Sequence, residues 1–324
     1  MFSFVKKRKQ FYIIAVALSA ISALSPFIID VNLGIDMTGG IQIEYTTEGG
    51  DPTMAEATAK EYAEAIKKTI VFEEKPIMND VSVYGIAGSD SFIVEAGFTT
   101  PENASEADIE KLKTQFSTTL TEKLASYQWV RITQSRYVNI GESFGAYIKK
   151  SGYITLAISI LMISLYIQYA FRGSIAGMAS WPFAFVTAVS LMHDVLVAFG
   201  LYVITSFFFP EFKIDTFFLT ALLTILGYSI NDTIVVMDRI RSNLHNGELK
   251  KTSFSDIIDR SIHDTMRRSL LTPMTVLIVL VALFFFGPTS LKGFMLALIY
   301  GTIVGTYSSI FIASPLLVDI TKKK

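Results

Sequence analysis

The sequence contains no cysteine, and this absence excludes disulfide bonds and metal sites built from thiolates. It also lacks the Gly-x-x-x-x-Gly-Lys-Ser/Thr phosphate loop, so we expect no ATP hydrolysis by this chain. The formal net charge is only -1, whereas a nucleic-acid-binding protein would carry a clear excess of basic residues. Thiol enzymes, P-loop ATPases and nucleic-acid-binding proteins are therefore poor descriptions of this sequence.

Hydrophobic residues make up 51% of the 324 residues and are gathered into long runs. Six runs approach the roughly 20 residues that an α-helix needs to cross a bilayer, so the sequence predicts a helical polytopic membrane protein. The first run exceeds the about 7 to 15 residues typical of a signal peptide, which favours a retained helix. The predicted transmembrane helices cover residues 11–29, 153–171, 182–209, 216–237, 269–286 and 294–318.

The placement of basic residues predicts the orientation in the membrane. Lysine and arginine cluster in residues 6–9, 239–268 and 322–324, whereas the two short loops on the other side hold only Lys213 and Lys292. Because short cytoplasmic loops carry the excess of positive charge, both termini are expected in the cytoplasm. The predicted topology is a cytoplasmic N-terminus at 1–10, helix 1 at 11–29, an extracytoplasmic domain at 30–150, helices 2 to 6 within 151–320 with a cytoplasmic loop at 238–268, and a cytoplasmic C-terminus at 321–324.

The polar segment 30–150 has the pattern of a mixed α+β domain. Thr53 with Glu56 and Ser105 with Asp108 predict capping boxes at the starts of two helices. With the strands, they give the order βαββαβ, which predicts a ferredoxin-like sandwich. The segment contains no histidine, so we expect neither a catalytic nor a metal site there. The predicted strands cover residues 41–47, 80–87, 92–96 and 129–140.

Polar residues inside the predicted spans are the main functional candidates. His193 and Asp194 fall near the middle of the third span, and Asn231 and Asp232 lie in the fourth. An ionised aspartate near the centre of a membrane helix costs about 2.5 to 3.5 kcal/mol on insertion scales, so it is a functional candidate by default. The alternative is that these groups only join helices by hydrogen bonds.

Two adjacent arginines, Arg267 and Arg268, begin the fifth predicted span. A cation that approaches a buried carboxylate and then leaves it changes the carboxylate's affinity for protons. Either arginine is a candidate partner for Asp232, and the alternative is that both are interfacial anchors. Sequence alone leaves the choice between them open.

The last predicted span carries small residues at intervals of four. Gly293, Ala297, Gly301 and Gly305 begin this ridge, which allows the backbones of two helices to approach closely. We therefore expect tight packing against a neighbouring helix.

Several motifs along the chain resemble those of the SecD/SecF family of protein-export membrane proteins, within the resistance-nodulation-division (RND) superfamily. Residues 227–241, which contain Asn231 and Asp232, are the most specific match. Met37 stands where phenylalanine is usual, and Glu142 stands where proline is usual. The motif after the first span contains Gly34, Asp36, Thr38, Gly39 and Gly40, and further matches lie at residues 140–145, 191–195, 268–272 and 305–313.

The resemblance implies a specific fold and function. It implies half of an RND-type bundle that forms a complex with SecD and the SecYEG channel in the cytoplasmic membrane of a bacterium or archaeon. The complex would use proton flow to draw exported polypeptide outward, with protons as the coupling ion and no other cofactor. Asp232 and Arg268 match the family's proton-path positions, with Arg267 as an alternative. No enzymatic activity is implied.

Two other readings share some of these features. An RND-type exporter of lipids or drugs would also couple transport to protons, but such proteins usually carry both halves and larger outer domains in one chain. An intramembrane aspartyl protease would need two aspartates on neighbouring spans, as Asp194 and Asp232 would supply. Its usual Tyr-Asp and Gly-x-Gly-Asp pairs are absent, because Asp194 follows His193 and Asp232 follows Asn231.

Overall fold

The computed structural model describes residues 3–49, 51–86, 89–101, 103–172, 179–209, 211–245 and 252–321. The predicted strand end at residue 87, residues 246–251 of the predicted cytoplasmic loop and residues 322–324 of the predicted C-terminus lie outside the described residues. So do residues 1 and 2 of the predicted N-terminus.

The described part of the chain contains a helical bundle and a mixed α+β domain. The helices are α1 (Phe4–Ile28), α2 (Ile35–Thr38), α3 (Pro52–Lys67), α4 (Glu106–Ala125), α5 (Glu142–Ala170), α6 (Trp181–Phe208), α7 (Thr216–His245), α8 (Phe254–Phe286), α9 (Lys292–Ser308) and α10 (Ser314–Thr321). The strands are β1 (Gly40–Glu48), β2 (Val71–Phe72), β3 (Lys75–Pro76), β4 (Met78–Gly85), β5 (Ser91–Phe98) and β6 (Arg131–Ile140).

Six helical segments of the described chain are long and apolar enough to cross a membrane. They are α1, α5, α6, α7, α8 and the continuous stretch Thr289–Thr321 that contains α9 and α10. This number matches the six runs predicted from hydropathy. Within the bundle, α6, α7 and α9 are the most enclosed helices, whereas α1, α5 and α8 are largely exposed and surround them.

Four helices extend well beyond the predicted spans. α1 begins at Phe4, α5 begins at Glu142, α7 continues to His245 and α8 begins at Phe254. Hydropathy detects only the apolar part of a helix, whereas the backbone hydrogen bonds continue into its polar turns. Within the predicted cytoplasmic loop 238–268, residues 238–245 and 254–268 are helical.

Between α1 and α5 the chain forms a four-stranded sheet in the order β4-β5-β1-β6. Every pair in this sheet is antiparallel, and Ile43 of β1 lies between Val94 of β5 and Tyr137 of β6. The helices α3 and α4 pack on the sheet through a shared core that includes Ala59 and Phe116. All four predicted strands are present, and the short β2–β3 hairpin was not predicted.

One of the two predicted helix caps is confirmed. The Ser105 side chain and Asp108 form the reciprocal capping box at the start of α4. At α3 the prediction is wrong, because Asp51 is the N-cap and its side chain accepts the Thr53 N–H at 2.9 Å. Pro52 follows Asp51, and proline suits the first helical turn because no intrahelical partner is needed for its nitrogen.

The small-residue ridge of the last span packs against α6 and α7. A methyl group at Gly301 would lie 2.1 Å from an Ile225 side-chain carbon, and one at Gly305 would lie 3.1 Å from Ser229 Cβ. One at Gly293 would lie 2.6 Å from the Tyr202 hydroxyl. The close approach expected from the four-residue spacing is thus present within this chain.

Candidate functional site

Asp194 is completely enclosed in the centre of the bundle, on α6. Its Oδ2 accepts hydrogen bonds from the Ser308 hydroxyl at 2.7 Å and from the Ser229 hydroxyl. His193 Nδ1 lies 2.9 Å from Asp194 Oδ1. Because α6, α7 and α9 each supply a partner, this carboxylate joins the three most enclosed helices of the bundle.

Asp232 lies on α7, and only 7% of the residue is exposed. The Ser309 hydroxyl donates a hydrogen bond to its Oδ2. Asp194 and Asp232 therefore accept from consecutive serines, Ser308 and Ser309, rather than from each other. That arrangement differs from the paired carboxylates of an aspartyl protease, where two acids share one proton.

The backbone changes its winding where these serines lie. α9 ends at Ser308, and Ser309–Ala313 forms one π-helical turn before α10. The Ser314 hydroxyl donates to the Ser309 carbonyl at 2.8 Å within this turn. Single π turns inside helices are rare and occur often at functional sites, because they redirect the side chains on either side.

A cavity of about 40 Å³ lies between α7 and α8 beside Asp232. This volume exceeds the about 10 to 15 Å³ that a water molecule requires. The cavity has polar walls, and within the described part of the chain the Tyr228 hydroxyl has no hydrogen-bond partner. The lining residues are Tyr228, Asn231, Asp232, Val235, Arg268, Thr272 and Pro273.

Arg268 lines this cavity, whereas Arg267 does not. Arg268 and Asp232 line the same cavity, yet the two groups form no ion pair among the described residues. Arg268 and Asn231 are both exposed on the surface of the bundle. The structure therefore brings Asp232, Asn231 and Arg268 together, and it places His193 and Asp194 in a separate cluster linked to Asp232 through the serine pair.

The motif after the first span forms the junction between the α+β domain and the bundle. Gly39 has a φ of 84°, a conformation that favours glycine, and a methyl group there would lie 2.9 Å from Glu142 Cα at the start of α5. The Thr38 hydroxyl donates to the Gly34 carbonyl at 3.3 Å. Gly34 and Asp36 face the loop before α7, while Gly40 begins β1, so this motif lies where the two domains meet.

Comparison with known proteins decides the family. Residues 119–323, well over half of the chain, match the family described as "Protein export membrane protein SecD/SecF, C-terminal". The chain belongs to the SecD/SecF family. It is 32% identical to the protein translocase subunit SecF of Rhodothermus marinus, over 98% of this chain and 93% of that protein. It is 34% identical to the protein translocase subunit SecF of Sebaldella termitidis, over 97% of this chain and 90% of that protein.

Two solved structures of SecDF share the fold. The crystal structure of SecDF from Thermus thermophilus, a translocon-associated membrane protein, superposes with a TM-score of 0.70 at 25% identity over 99% of this chain. SecDF in a super-membrane-facing form gives a TM-score of 0.65 at 26% identity over 98% of this chain. The chain spans only 39% and 38% of those two SecDF chains.

In this member of the SecD/SecF family, the serine partners of the two carboxylates were not predicted from the sequence. Ser229, Ser308 and Ser309 lie within matched motifs, but they were not assigned to a site. The signal was present in the spacing, because Ser309 continues the four-residue ridge at a position where the ridge meets Asp232. A serine on a packing ridge is small enough to allow two helices to approach closely, and its hydroxyl can also donate a hydrogen bond to a carboxylate on the facing helix.

Proposed function

We propose that this chain acts as the SecF-type subunit of protein translocase. With a SecD protein it would use proton flow across the cytoplasmic membrane of a bacterium or archaeon to assist polypeptide export through SecYEG. It would act as a transport subunit without enzymatic activity and without a cofactor other than protons. The names of its relatives support the translocase role, and the buried Asp232 beside Arg268 is the observation that supports proton coupling.

The geometry around Asp232 suits a group that binds and releases protons. Ser309 donates a hydrogen bond to one carboxylate oxygen, and the polar cavity beside the carboxylate is large enough for a water molecule. Arg268 reaches the same cavity without being bound to Asp232, so it is free to approach or withdraw as helices move. One elementary charge crossing the membrane releases about 2.3 kcal/mol per 100 mV, which is enough to shift a conformational equilibrium of a few kcal/mol.

The need for a SecD partner follows from what the bundle exposes. Asn231 and Arg268 lie on the exposed side of helices that are otherwise apolar. Polar groups at membrane depth require protein or water around them, so a second six-helix half is expected to cover this face. The SecDF chains that share the fold are more than twice as long as this one, which is consistent with two halves.

We further propose that the α+β domain is extracytoplasmic and ferredoxin-like, and that both chain termini are cytoplasmic. The sheet order β4-β5-β1-β6, with two helices packed on it, fits two interleaved βαβ units. Lys213 and Lys292 are the basic residues predicted for the two short loops on the domain's side, while the opposite end is rich in lysine and arginine.

The test is export in cells depleted of their own SecF and supplied with this chain and its SecD partner. We expect cells with the Asp232→Asn variant to accumulate the unprocessed form of a secreted protein and cells with the wild-type chain not to do so. Asp238→Asn is the matched control, because Asp238 lies on the same helix and is exposed. Export at the wild-type rate by the Asp232→Asn chain would contradict the coupling role, and failure of the wild-type chain to restore export would contradict the subunit role.

A further inference from the structure

The α+β domain and the bundle are joined by a short backbone ladder. The segment after α1 pairs with the loop before α7, where the Gly34 N–H donates to the Ile214 carbonyl at 2.9 Å and the Ile214 N–H donates to the Asn32 carbonyl at 2.8 Å. The loop is fixed on its other side, because the Tyr202 hydroxyl of α6 donates to the Lys213 carbonyl at 3.1 Å. The junction is thus an ordered contact.

Ionic contacts from the same loop reach the sheet of the α+β domain. Lys213 Nζ lies 2.8 Å from Asp80 Oδ2 and 3.6 Å from Glu95 Oε2. The Tyr84 hydroxyl donates to Glu95 Oε1 at 2.6 Å. One lysine of the membrane domain therefore binds two acidic residues of neighbouring strands, with Lys67 as a further positive charge near Asp80.

Asp215 lies two residues after Lys213 in the same loop and has fewer polar partners. Its Oδ1 accepts the Phe218 N–H at 2.8 Å at the start of α7, and among the described residues it forms no ion pair. A methyl group at Gly34 would lie 2.9 Å from Asp215 Cβ, so the domain's first segment closes over it. Burial raises the pKa of Asp215 to about 6, and the negative charges of Asp36 and Glu95 add to that effect.

We propose that Asp215 is a second proton-binding residue of this protein, at the junction, and that its protonation favours the arrangement in which the α+β domain is docked on the bundle. This inference goes beyond proton coupling at Asp232 and does not require it. Asp215 is partly buried, and the segment around Gly34 covers it when the domain is docked. Ionisation of a carboxylate that docking removes from water therefore works against docking. Neutral Asp215 removes that penalty and the repulsion from Asp36 and Glu95.

The sign of the pH dependence follows from linkage. Because the pKa of Asp215 is higher in the docked form than in water, docking takes up a proton and becomes more favourable as the pH falls through about 6. Lys213 lowers the pKa of Asp80, so protonation of Asp80 would make docking less favourable. Asp80 stays ionised above pH 5, so it does not offset the effect of Asp215 in this pH range. Between pH 7.5 and pH 5 the ratio of docked to undocked protein should rise about tenfold.

The absence of cysteine makes the distance between the two domains directly measurable. Ser126 follows α4 and Ser290 lies between α8 and α9, and both are exposed. Nitroxide labels on the Ser126→Cys, Ser290→Cys chain, assembled with SecD in lipid nanodiscs, would report docking by electron-electron distance measurement at pH 7.5 and pH 5. When the pH is lowered from 7.5 to 5, we expect the population at the docked distance to rise about tenfold relative to the population at longer distances. In the Asp215→Asn background, docking should be the same at both pH values.

Asp90→Asn is the matched control, since Asp90 is an exposed carboxylate of the same domain, and it should keep the pH response. A distance distribution that is independent of pH in the parent chain would overturn the proposal, whether or not the Asp215→Asn variant folds. A full response in Asp215→Asn would also overturn it. Asp232→Asn in the labelled chain separates the two proposals, because loss of export there should leave this docking response unchanged.

Discussion

Asp194 and Asp232 each depend on a serine hydroxyl from the last membrane span. Ser308 donates to Asp194, and Ser309 donates to Asp232. Removing one donor from an enclosed carboxylate leaves an acceptor without compensation for its lost hydration. The serine pair is therefore expected to affect stability and coupling together.

The Ser308→Ala substitution should lower the free energy of unfolding by about 1 to 3 kcal/mol, since it leaves a fully buried carboxylate oxygen short of one donor. Reversible unfolding of the purified chain in mixed micelles would measure this loss. The control is Ser290→Ala on the exposed loop, which should change the free energy by less than about 0.5 kcal/mol. Equal values for the two variants would contradict the role given to the Ser308 hydroxyl.

Arg268 and Arg267 should differ in their effect on export, although they are adjacent and chemically identical. Only Arg268 lines the cavity beside Asp232. We expect Arg268→Ala to remove the proton-dependent gain in export and Arg267→Ala to retain it, as measured in the depleted cells described above. A defect confined to Arg267→Ala would show that the wrong cation has been assigned.

The charged residues of the site could be predicted from sequence, whereas their hydroxyl partners could not. Asp232 is conspicuous because a carboxylate in an apolar run is costly and therefore rare. Serine and threonine in membrane helices commonly bond to the carbonyl four residues earlier, so they carry no comparable signal. Which of Arg267 and Arg268 lines the cavity beside Asp232 depends on the rotation of α8, which the sequence does not give.

At the scale of helices, the close contact between α7 and α9 depends on residues without side chains. Gly301 lies directly against Ile225, whereas an added methyl group at Gly227 would meet nothing within 4 Å. Both glycines lie within helices, so alanine changes helix propensity similarly at the two positions. The difference between the two alanine variants therefore reports the cost of crowding at Gly301.

Gly301→Ala should destabilise the chain by about 1 to 3 kcal/mol, because the new methyl group overpacks a close interface. Gly227→Ala should be neutral or stabilising by up to about 1 kcal/mol, because alanine favours the helix. Unfolding of the two purified variants under the same conditions compares them. Destabilisation by Gly227→Ala alone would contradict the packing described for α9.

The existence of the elements was more predictable than their ends. The six spans and the four main strands were predicted because apolar runs and alternation repeat over many residues. The start of α5 at Glu142 was missed because its first turns are polar and pack against the junction. The Asp51 cap was missed because Thr53 with Glu56 satisfies the same residue pattern two positions later.

At the scale of the whole molecule, the helical bundle has one surface on which polar side chains are exposed. Asn231 and Arg268 open onto that face, next to the enclosed Asp232. A photo-crosslinking amino acid at position 231 should therefore form a covalent product with co-expressed SecD. Membranes that lack SecD provide the control and should show no such product. A crosslink to lipid alone in the presence of SecD would place the partner on another face.

The most direct test of proton coupling at Asp232 separates the proton gradient from ATP. Export is started in membrane vesicles that contain the chain, SecD and the channel, ATP is then removed, and a proton gradient is imposed on the stalled polypeptide. The account predicts that the gradient completes export with the wild-type and Asp238→Asn chains, and that with Asp232→Asn the stalled polypeptide advances no further than without a gradient. Completion at the wild-type rate by Asp232→Asn would contradict it.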